Sequence, residues 1–224
     1  MTYELEKKIW SDKDFEQMGW HDCRIYKIRL TEDLELDIDY ILQWNKADLE
    51  GMPFTFWVAP ATLIFKNIKD LRLDIDTAFD DAIEIQDIER TQKDNVNRWT
   101  IITQQGDFEF ISDGYEQFIR QEPFSEFGQT ISFIERNGSS LDRTTNQENP
   151  NRNREDIVDR RKKDLEHYEN AKKRHLKRLE KEHLDKAKEN NEIDAKQYLL
   201  KKKEVKEMLD NYDHLLKNTI FENW

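Results

Sequence analysis

The sequence predicts an α+β protein, in which an antiparallel β-sandwich or half-open barrel is followed by a C-terminal α-helical hairpin. All six Gly and all four Pro lie at or before Pro150, whereas residues 151–224 contain neither. Five of the six Trp and eleven of the twelve Phe also lie before that point. The first part can therefore build an aromatic core with turns, and the second part has the composition of helix.

Residues 1–137 contain the short alternating runs that are typical of an antiparallel β domain. The clearest run is 34–42, where Leu34, Leu36, Ile38, Tyr40 and Leu42 alternate with mostly acidic residues. Such a period of two places one set on each face of a strand. A hairpin is predicted at 99–110 around the turn at Gln105-Gly106-Asp107. Further strand candidates lie at 24–30, 54–58, 61–65, 71–76, 83–88 and 130–134.

Two local signals refine this β domain. Pro60 interrupts the apolar run 54–65, so we expect an edge position, a bulge or a strand break there. Near the start of the chain, Ser11 and Asp14 have the N-cap and N3 spacing of a helix that Gly19 would end.

The rest of the chain divides into a linker and a helical arm. Residues 138–153 contain Leu141 as their one large apolar side chain, which predicts a flexible linker. Residues 154–224 predict two helices, capped by Asn153 and Asn191 and separated at Asn190-Asn191. The predicted apolar seams are Leu165, Tyr168, Leu176, Leu179 and Ala187 in the first helix, and Tyr198, Val205, Leu209, Tyr212 and Leu216, with Lys202 among them, in the second.

Charge follows the same division. Residues 1–150 have 16 Lys and Arg against 31 Asp and Glu, a net charge of −15, whereas residues 151–224 have a net charge of +3. An acidic domain favours basic protein partners and repels nucleic acid and membranes. No signal peptide or membrane-length apolar run is visible, and the single cysteine fits a reducing compartment, so we expect a cytoplasmic protein.

Few residues offer catalytic or metal chemistry. His21 and Cys23 would share a face if a strand began there, but a nucleophile needs an orienting group and a metal needs more ligands. A buried structural cysteine is the simpler interpretation. The spacing of His167, His175 and His183 turns successive rings by about 80° around a helix, so they do not converge on a metal. We predict no cofactor and no metal, and we favour a protein that is not an enzyme.

Acidic and aromatic side chains are the candidate partner-binding residues. Alternation places Asp37 with Asp39, and Asp74 with Asp76, on one sheet face each. Such a face could be solvated surface, an acidic patch for a basic protein, or a cation site of a metal-dependent hydrolase. Trp44 and Trp57 are candidates for exposed aromatics, with core positions as the alternative. Phe221 and Trp224 follow the polar arm and would dock on the β domain, a second copy or a partner.

The arm also offers a basic helix. Residues 160–181 contain ten Lys or Arg against four acidic residues. Nucleic-acid contact through phosphates is therefore an alternative function, and a solvated face or docking on an acidic surface are the other interpretations. Its candidate contacts are Arg160, Arg161, Lys162, Lys163, Lys172, Lys173 and Arg174.

One sequence pattern suggests a class of protein. Gly19-Trp20-His21-Asp22, followed by a strand and then Leu36-Asp37-Ile38-Asp39-Tyr40, resembles a pattern in small β-rich bacterial proteins. Some of these are similar to immunity proteins of polymorphic toxin systems. The resemblance covers residues 10–136 and implies a cytosolic binding protein whose acidic surface blocks a basic toxin. Because it leaves the arm unexplained, we expect the arm to oligomerise or tether the protein.

Overall fold

The computed structural model describes residues 3–76, 82–94 and 96–224. They divide into two compact units. The β unit is drawn from Met1–Asn45 and Thr55–Asn153, and the helical unit from Lys46–Phe54 and Arg154–Trp224. The β unit has 29 Asp and Glu against 16 Lys and Arg, a net charge of −13, whereas the helical unit has 19 against 20. The whole acidic excess therefore belongs to the β unit.

In its described part, the β unit forms ten strands and a 3₁₀ helix at Asp12–Gln17. The strands are β1 (Ile9–Ser11), β2 (Cys23–Leu30), β3 (Leu34–Asn45), β4 (Thr55–Phe65), β5 (Lys69–Ile75), β6 (Glu84–Lys93), β7 (Val96–Thr103), β8 (Gly106–Ile111), β9 (Tyr115–Ile119) and β10 (Phe124–Glu126).

These strands form one antiparallel sheet in the order β1-β9-β4-β3-β2-β6-β7-β8-β5. The short strand β10 pairs with the first half of β4. Among the described strands β1 and β5 do not pair, so the sheet remains open. Helices follow the sheet in the chain, which confirms the predicted α+β class with a mainly antiparallel β part and a C-terminal helical hairpin.

An aromatic core covers one face of the sheet, which we call the inner face. The ring centroid of Phe65 on β4 lies 5.2 Å from that of Trp99 on β7 and 4.8 Å from that of Phe110 on β8. Tyr115 on β9 lies 5.8 Å from Trp99. Because β3, β2 and β6 separate β4 and β9 from β7 and β8 in the sheet order, the sheet must curl to bring these aromatic rings together.

The predicted hairpin is confirmed between β7 and β8, where Thr103 pairs with Gly106. Gly106 has a φ of +129°, and a Cβ atom there would lie 1.9 Å from the carbonyl oxygen of Asp74. Glycine is therefore required both by the turn and by the close approach of β5.

The expectation for Pro60 is wrong, because β4 runs through this residue inside the sheet. Pro60 pairs with Asp39 of β3 on one side. On the other side, the neighbour of β4 changes from β10, which pairs with 56–58, to β9, which pairs with 61–65. The missing N–H of proline thus falls where the ladder changes partner, and the strand can continue.

Two other local predictions need correction. Residues 130–134 form a bend, an irregular segment and the start of a turn instead of a strand. Ser11 and Asp14 do begin a helical segment, since the N–H of Ser11 donates to Asp14 Oδ2 at 2.8 Å. That segment is 3₁₀ and ends at Gln17, with Met18 as its C-cap, before Gly19 is reached.

Residues 138–153, for which we predicted a flexible linker, have neither helix nor strand but belong to the β unit. The N–H of Gln147 donates to the carbonyl of Arg120 at 2.7 Å, and Leu141 is buried. Asn149 donates through Nδ2 to Gln121 Oε1 at 2.8 Å. Polar contacts, which the apolar content of the segment does not reveal, attach it to the unit.

The helical unit contains α1 (Glu155–Glu189) and α2 (Ala195–Leu216). The predicted caps are wrong: Arg154 precedes α1, and Asp194 caps α2 by accepting from the N–H groups of Lys196 and Gln197. Asn191 adopts the left-handed conformation beyond the end of α1, a common role for Asn after a helix.

The two predicted seams have different outcomes. In α2, Val205 and Leu216 are buried, and the other predicted seam residues are partly buried. Lys202 is held there by Asp185 of α1 at 3.2 Å. In α1, Leu165 and Leu176 are exposed, and the buried positions inside the helix include Ala171 and Arg174. The α1 seam is therefore wrong at Leu165 and Leu176.

Candidate functional site

The predicted acidic face on β3 is wrong, because Asp37 and Asp39 are completely buried. The carboxylate of Asp37 accepts from Arg120 Nη2 at 2.6 Å, from Arg136 Nη2 at 2.7 Å and from the N–H of Ser140 at 2.9 Å. These donors come from the chain that follows β9. They close over the second face of β3, for which the alternation predicts a solvated surface, a protein-binding patch or a cation site.

Asp39 belongs to the same buried cluster. It accepts from Arg136 Nε at 3.1 Å, from the N–H of Ile131 at 2.8 Å and from the hydroxyl of Tyr26 at 2.8 Å. Burial raises the pKa of the Asp39 carboxyl, and the nearby positive charge of Arg136 opposes that rise. The Arg136 guanidinium also stacks 3.8 Å from the Tyr26 ring centroid.

This buried ionic cluster contains two carboxylates and two guanidinium groups, so their formal charges cancel. Almost every charged atom has a hydrogen-bond partner, although Arg120 Nε has none in the described structure. Since the four charged side chains are at most 1% exposed, a partner cannot reach them. Asp37 and Asp39 thus attach the later part of the β unit to β3, and they are not partner-binding residues.

Asp74 and Asp76 lie elsewhere, at the end of β5 and just beyond it, in the other half of the sheet. Both are exposed. The register extends a row of aligned positions across four strands: Asp87 of β6 is opposite Ile102 of β7, which is opposite Asp107 of β8, which is opposite Asp74. Three carboxylates thus share one cross-strand row.

The next row adds two more carboxylates. Glu89 of β6 is opposite Thr100 of β7, which is opposite Glu109 of β8, and Glu109 is opposite Arg72 of β5. Strand alternation places both rows on the face opposite the aromatic core. We call the five carboxylates of these rows the acidic outer face: Asp74, Asp87, Glu89, Asp107 and Glu109.

These carboxylates differ from the buried cluster in their surroundings. Asp74, Asp87 and Glu89 are exposed, and Asp107 and Glu109 are partly exposed. Within the described residues, none of the five forms an ion pair with a Lys or Arg. Asp74 and Asp107 are directly opposite each other, an arrangement of like charges that destabilises a sheet. The face therefore retains negative charge that a cationic partner could neutralise.

The metal-dependent hydrolase interpretation required Asp37, Asp39, Asp74 and Asp76 to gather at one place. The sheet order separates the two pairs, since β3 and β5 are on opposite sides of β2, β6, β7 and β8. Across the described residues, no group of three or more His, Cys, Asp or Glu is arranged to hold a metal ion.

His21 and Cys23 do not form a shared reactive face. Asp22 between them adopts a φ of +64°, which interrupts the alternation before β2 begins at Cys23. His21 is exposed and its Nδ1 lies 2.8 Å from Asp22 Oδ1, whereas the Cys23 thiol is completely buried. Burial raises the pKa of Cys23 to about 12, so the thiolate that a nucleophile needs is strongly disfavoured.

The four predicted aromatic contacts have different exposures. Trp44 is 44% exposed and packs edge-on to Phe56, with centroids 5.0 Å apart. Trp57 is partly buried, with Tyr3 at 5.5 Å. Phe221 is buried inside the helical unit, where its ring meets Tyr168 at 5.8 Å, so its predicted partner contact is wrong. Trp44, Trp57 and Trp224 stay candidates for partner contact.

Arg174 must be removed from the predicted nucleic-acid contacts, because its side chain is only 1% exposed. Its guanidinium donates to Asp213 Oδ1 at 2.9 Å and to the carbonyl oxygens of Phe221 at 2.7 Å and Trp224 at 2.6 Å. It therefore fixes the segment after α2 against α1. The other six are exposed or partly buried, and their contact with nucleic acid stays a prediction: Arg160, Arg161, Lys162, Lys163, Lys172 and Lys173.

Comparisons of the chain with protein-family models, curated proteins and solved structures yield no match. Neither helix of the structure has the length and apolarity to cross a membrane, as judged over the described residues. The acidic outer face is therefore identified from geometry and charge. Sequence alternation had indicated Asp74, but the other four members required the strand order and register.

Proposed function

We propose that the β unit is a protein-binding module, without catalytic activity of its own, that recognises a basic protein through its acidic outer face. The observation that carries this proposal is the pair of cross-strand rows containing five carboxylates without ion-pair partners among the described residues. A surface of one charge sign raises the encounter rate with an opposite charge and repels partners of the same sign.

The overall charge of the β unit also favours a basic partner. Its net charge of −13 adds a long-range attraction for basic proteins to the local effect of the acidic outer face. Arg120 and Arg136 neutralise Asp37 and Asp39 internally, so these carboxylates do not contribute to the attraction. The acidic outer face instead places five carboxylates, exposed or partly exposed, on the neighbouring part of the sheet formed by β5, β6 and β8.

The class of partner that we propose is a basic toxin, which the module would inhibit as a cytoplasmic immunity-type protein. This follows from the resemblance carried by Gly19-Trp20-His21-Asp22 and by the alternation at 36–40. A nuclease toxin must be basic to hold nucleic acid, so an acidic surface can compete for its substrate site. The helical unit would then tether the module or join copies of it.

The acidic outer face can be tested with a fluorescent oligolysine peptide as the probe. We expect binding at low ionic strength, measured by anisotropy, to weaken by about tenfold when all five carboxylates are changed to their amides. The matched control changes five exposed glutamates outside the face to Gln: Glu4, Glu6, Glu32, Glu122 and Glu148.

If the control loses as much affinity as the variant of the face, net charge alone explains binding and the proposed site is wrong. The toxin assignment has a separate test, in which the chain is co-expressed with each neighbouring toxin gene. Rescue of growth that depends on the five carboxylates is expected. Failure with every neighbouring gene would contradict the immunity function while leaving the peptide result intact.

A further inference from the structure

One long edge of the sheet, formed by β5, is open within the described residues. There, β5 pairs with β8 and with no second strand, and it spans the seven residues of Lys69–Ile75. The opposite edge, β1, is only three residues long. A long edge strand presents a row of backbone N–H and C=O groups that can pair with another strand.

The hydrogen-bond pattern shows which backbone groups of β5 face that edge. The N–H of Asp76 donates to the carbonyl of Gln105 at 2.8 Å, on the side of the hairpin between β7 and β8. Because hydrogen-bonding direction alternates along a strand, the backbone groups of Leu73 and Ile75 point away from β8. Those two residues offer donors and acceptors to an added strand.

The side chains on the two faces of β5 differ in chemistry. Leu71 and Ile75 pack against the inner-face core, and Leu73, which lies between them, is 55% exposed. Asp74 lies on the outer face, opposite Asp107. An added strand would therefore place apolar side chains beside Leu73 on one face and basic side chains beside Asp74 on the other.

Charge favours a basic strand over a second copy of this chain at that edge. In an antiparallel pairing of β5 with its own copy, the acidic outer faces of two units would become one surface. The β unit of each copy has a net charge of −13, so such a pairing brings like charges together. A strand in which Lys or Arg alternates with apolar residues would instead place its basic side chains beside Asp74 and its apolar side chains beside Leu73.

We propose that β5 binds its partner by strand addition, and that the strand it accepts alternates basic and apolar residues. This inference rests on the proposed function and specifies its recognition mode. Main-chain hydrogen bonds to Leu73 and Ile75 would provide binding that is independent of side chains, and the acidic outer face would select the basic sequence.

The probes are two labelled peptides of equal length and charge, one alternating Lys with Val and the other alternating Lys with Pro. Proline lacks an N–H and so cannot complete a ladder. We expect the Lys-Val peptide to bind about tenfold more tightly at low ionic strength. It should also slow amide hydrogen exchange within residues 69–76, measured by mass spectrometry on the full chain.

Variants at two half-exposed leucines test the location. Leu73→Gln should reduce the preference for the Lys-Val peptide to about twofold, because it removes the apolar contact at the edge. Leu30→Gln is the matched control, since Leu30 is 51% exposed on β2, and it should leave the preference unchanged. Circular dichroism would establish that both variants fold.

The outcomes separate this inference from the proposed function. Equal binding of the two peptides, without slower exchange at 69–76, overturns strand addition but retains an acidic binding face. Absence of binding by either peptide overturns both proposals. Self-association of the chain that Leu73→Gln abolishes, measured by sedimentation, would identify a second copy as the occupant and overturn the basic strand.

Discussion

Replacing Asp37 with Asn should destabilise the β unit strongly, because it removes one negative charge from a buried cluster of zero net charge. Asp37 accepts hydrogen bonds from two nitrogens of Arg136, from Arg120 and from the N–H of Ser140. Asparagine has a similar volume, but its side-chain NH₂ group is itself a donor and would face these donors in place of an accepting oxygen. Asp39 would then be the one remaining carboxylate for both guanidinium groups. The cluster would carry a net charge of +1.

The expected loss follows from that uncompensated charge. Breaking one side of a buried ion pair typically costs about 3–5 kcal/mol. With a denaturant dependence of about 2 kcal/mol per M for urea, the unfolding midpoint should fall by roughly 2 M. Fluorescence is a suitable measurement, because Trp20 and Trp99 are buried in the core of this unit and report its unfolding.

Asp74→Asn is the matched control, since it applies the same chemical change to the same residue type in a similar alternating strand. We expect a change within about 0.5 kcal/mol, because Asp74 is exposed and lies opposite Asp107. Adding Arg120→Gln to Asp37→Asn should recover part of the lost stability, since the cluster becomes neutral again. Equal effects of Asp37→Asn and Asp74→Asn would refute the distinction between the buried cluster and the outer face.

Two further predictions concern Cys23 and Arg174. Because burial raises the pKa of Cys23 to about 12, the thiol of the unfolded chain ionises before that of the folded chain as pH rises above 9. The free energy of unfolding should therefore fall as pH rises from 9 to about 12. Thiol labelling of the folded chain should be limited by opening of the core. Labelling at the rate of a free thiol would contradict it. Arg174→Ala should release the segment after α2 and speed amide exchange at 217–224, measured by mass spectrometry, because the carbonyls of Phe221, Glu222 and Trp224 lose the hydrogen bonds that Arg174 donates. Arg178→Ala, which removes one exposed donor to Trp224, should have a smaller effect, and the reverse order would refute the role of Arg174.

The sequence contains enough information to predict the strands with clear alternation but not what covers them. Leu34–Leu42 was predicted as a strand, and it lies within β3. The alternation could not show that Arg120 and Arg136, more than eighty residues later, bury its acidic face. Pairing between distant residues depends on the path of the chain, whereas alternation is a local property.

In the helical arm too, the sequence predicts the helices but only part of what is buried between them. The α2 seam was predictable, because apolar residues dominate its 3.5-residue rhythm. In α1, the buried residue Arg174 is charged, and its burial depends on carbonyl acceptors that the segment after α2 supplies. Hydrophobic periodicity cannot identify a helix face that is buried through hydrogen bonds to a guanidinium group. Apolar periodicity therefore predicts Leu165 and Leu176 as seam residues, although the buried face of α1 includes Arg174 instead.

The different fates of the strand aspartates also explain where a binding surface can exist in this fold. Arg120, Arg136 and Arg143 come from the last part of the β unit, and they pair with acidic residues in 33–39. Within the described residues, no Lys or Arg forms an ion pair with the acidic outer face, although Arg72 lies opposite Glu109 in the register. Because an internal cation stabilises the first set, those carboxylates serve the fold. In the second set, Asp74 and Asp107 lie opposite each other without an ion-pair partner among the described residues, so an external cation can gain free energy by binding there.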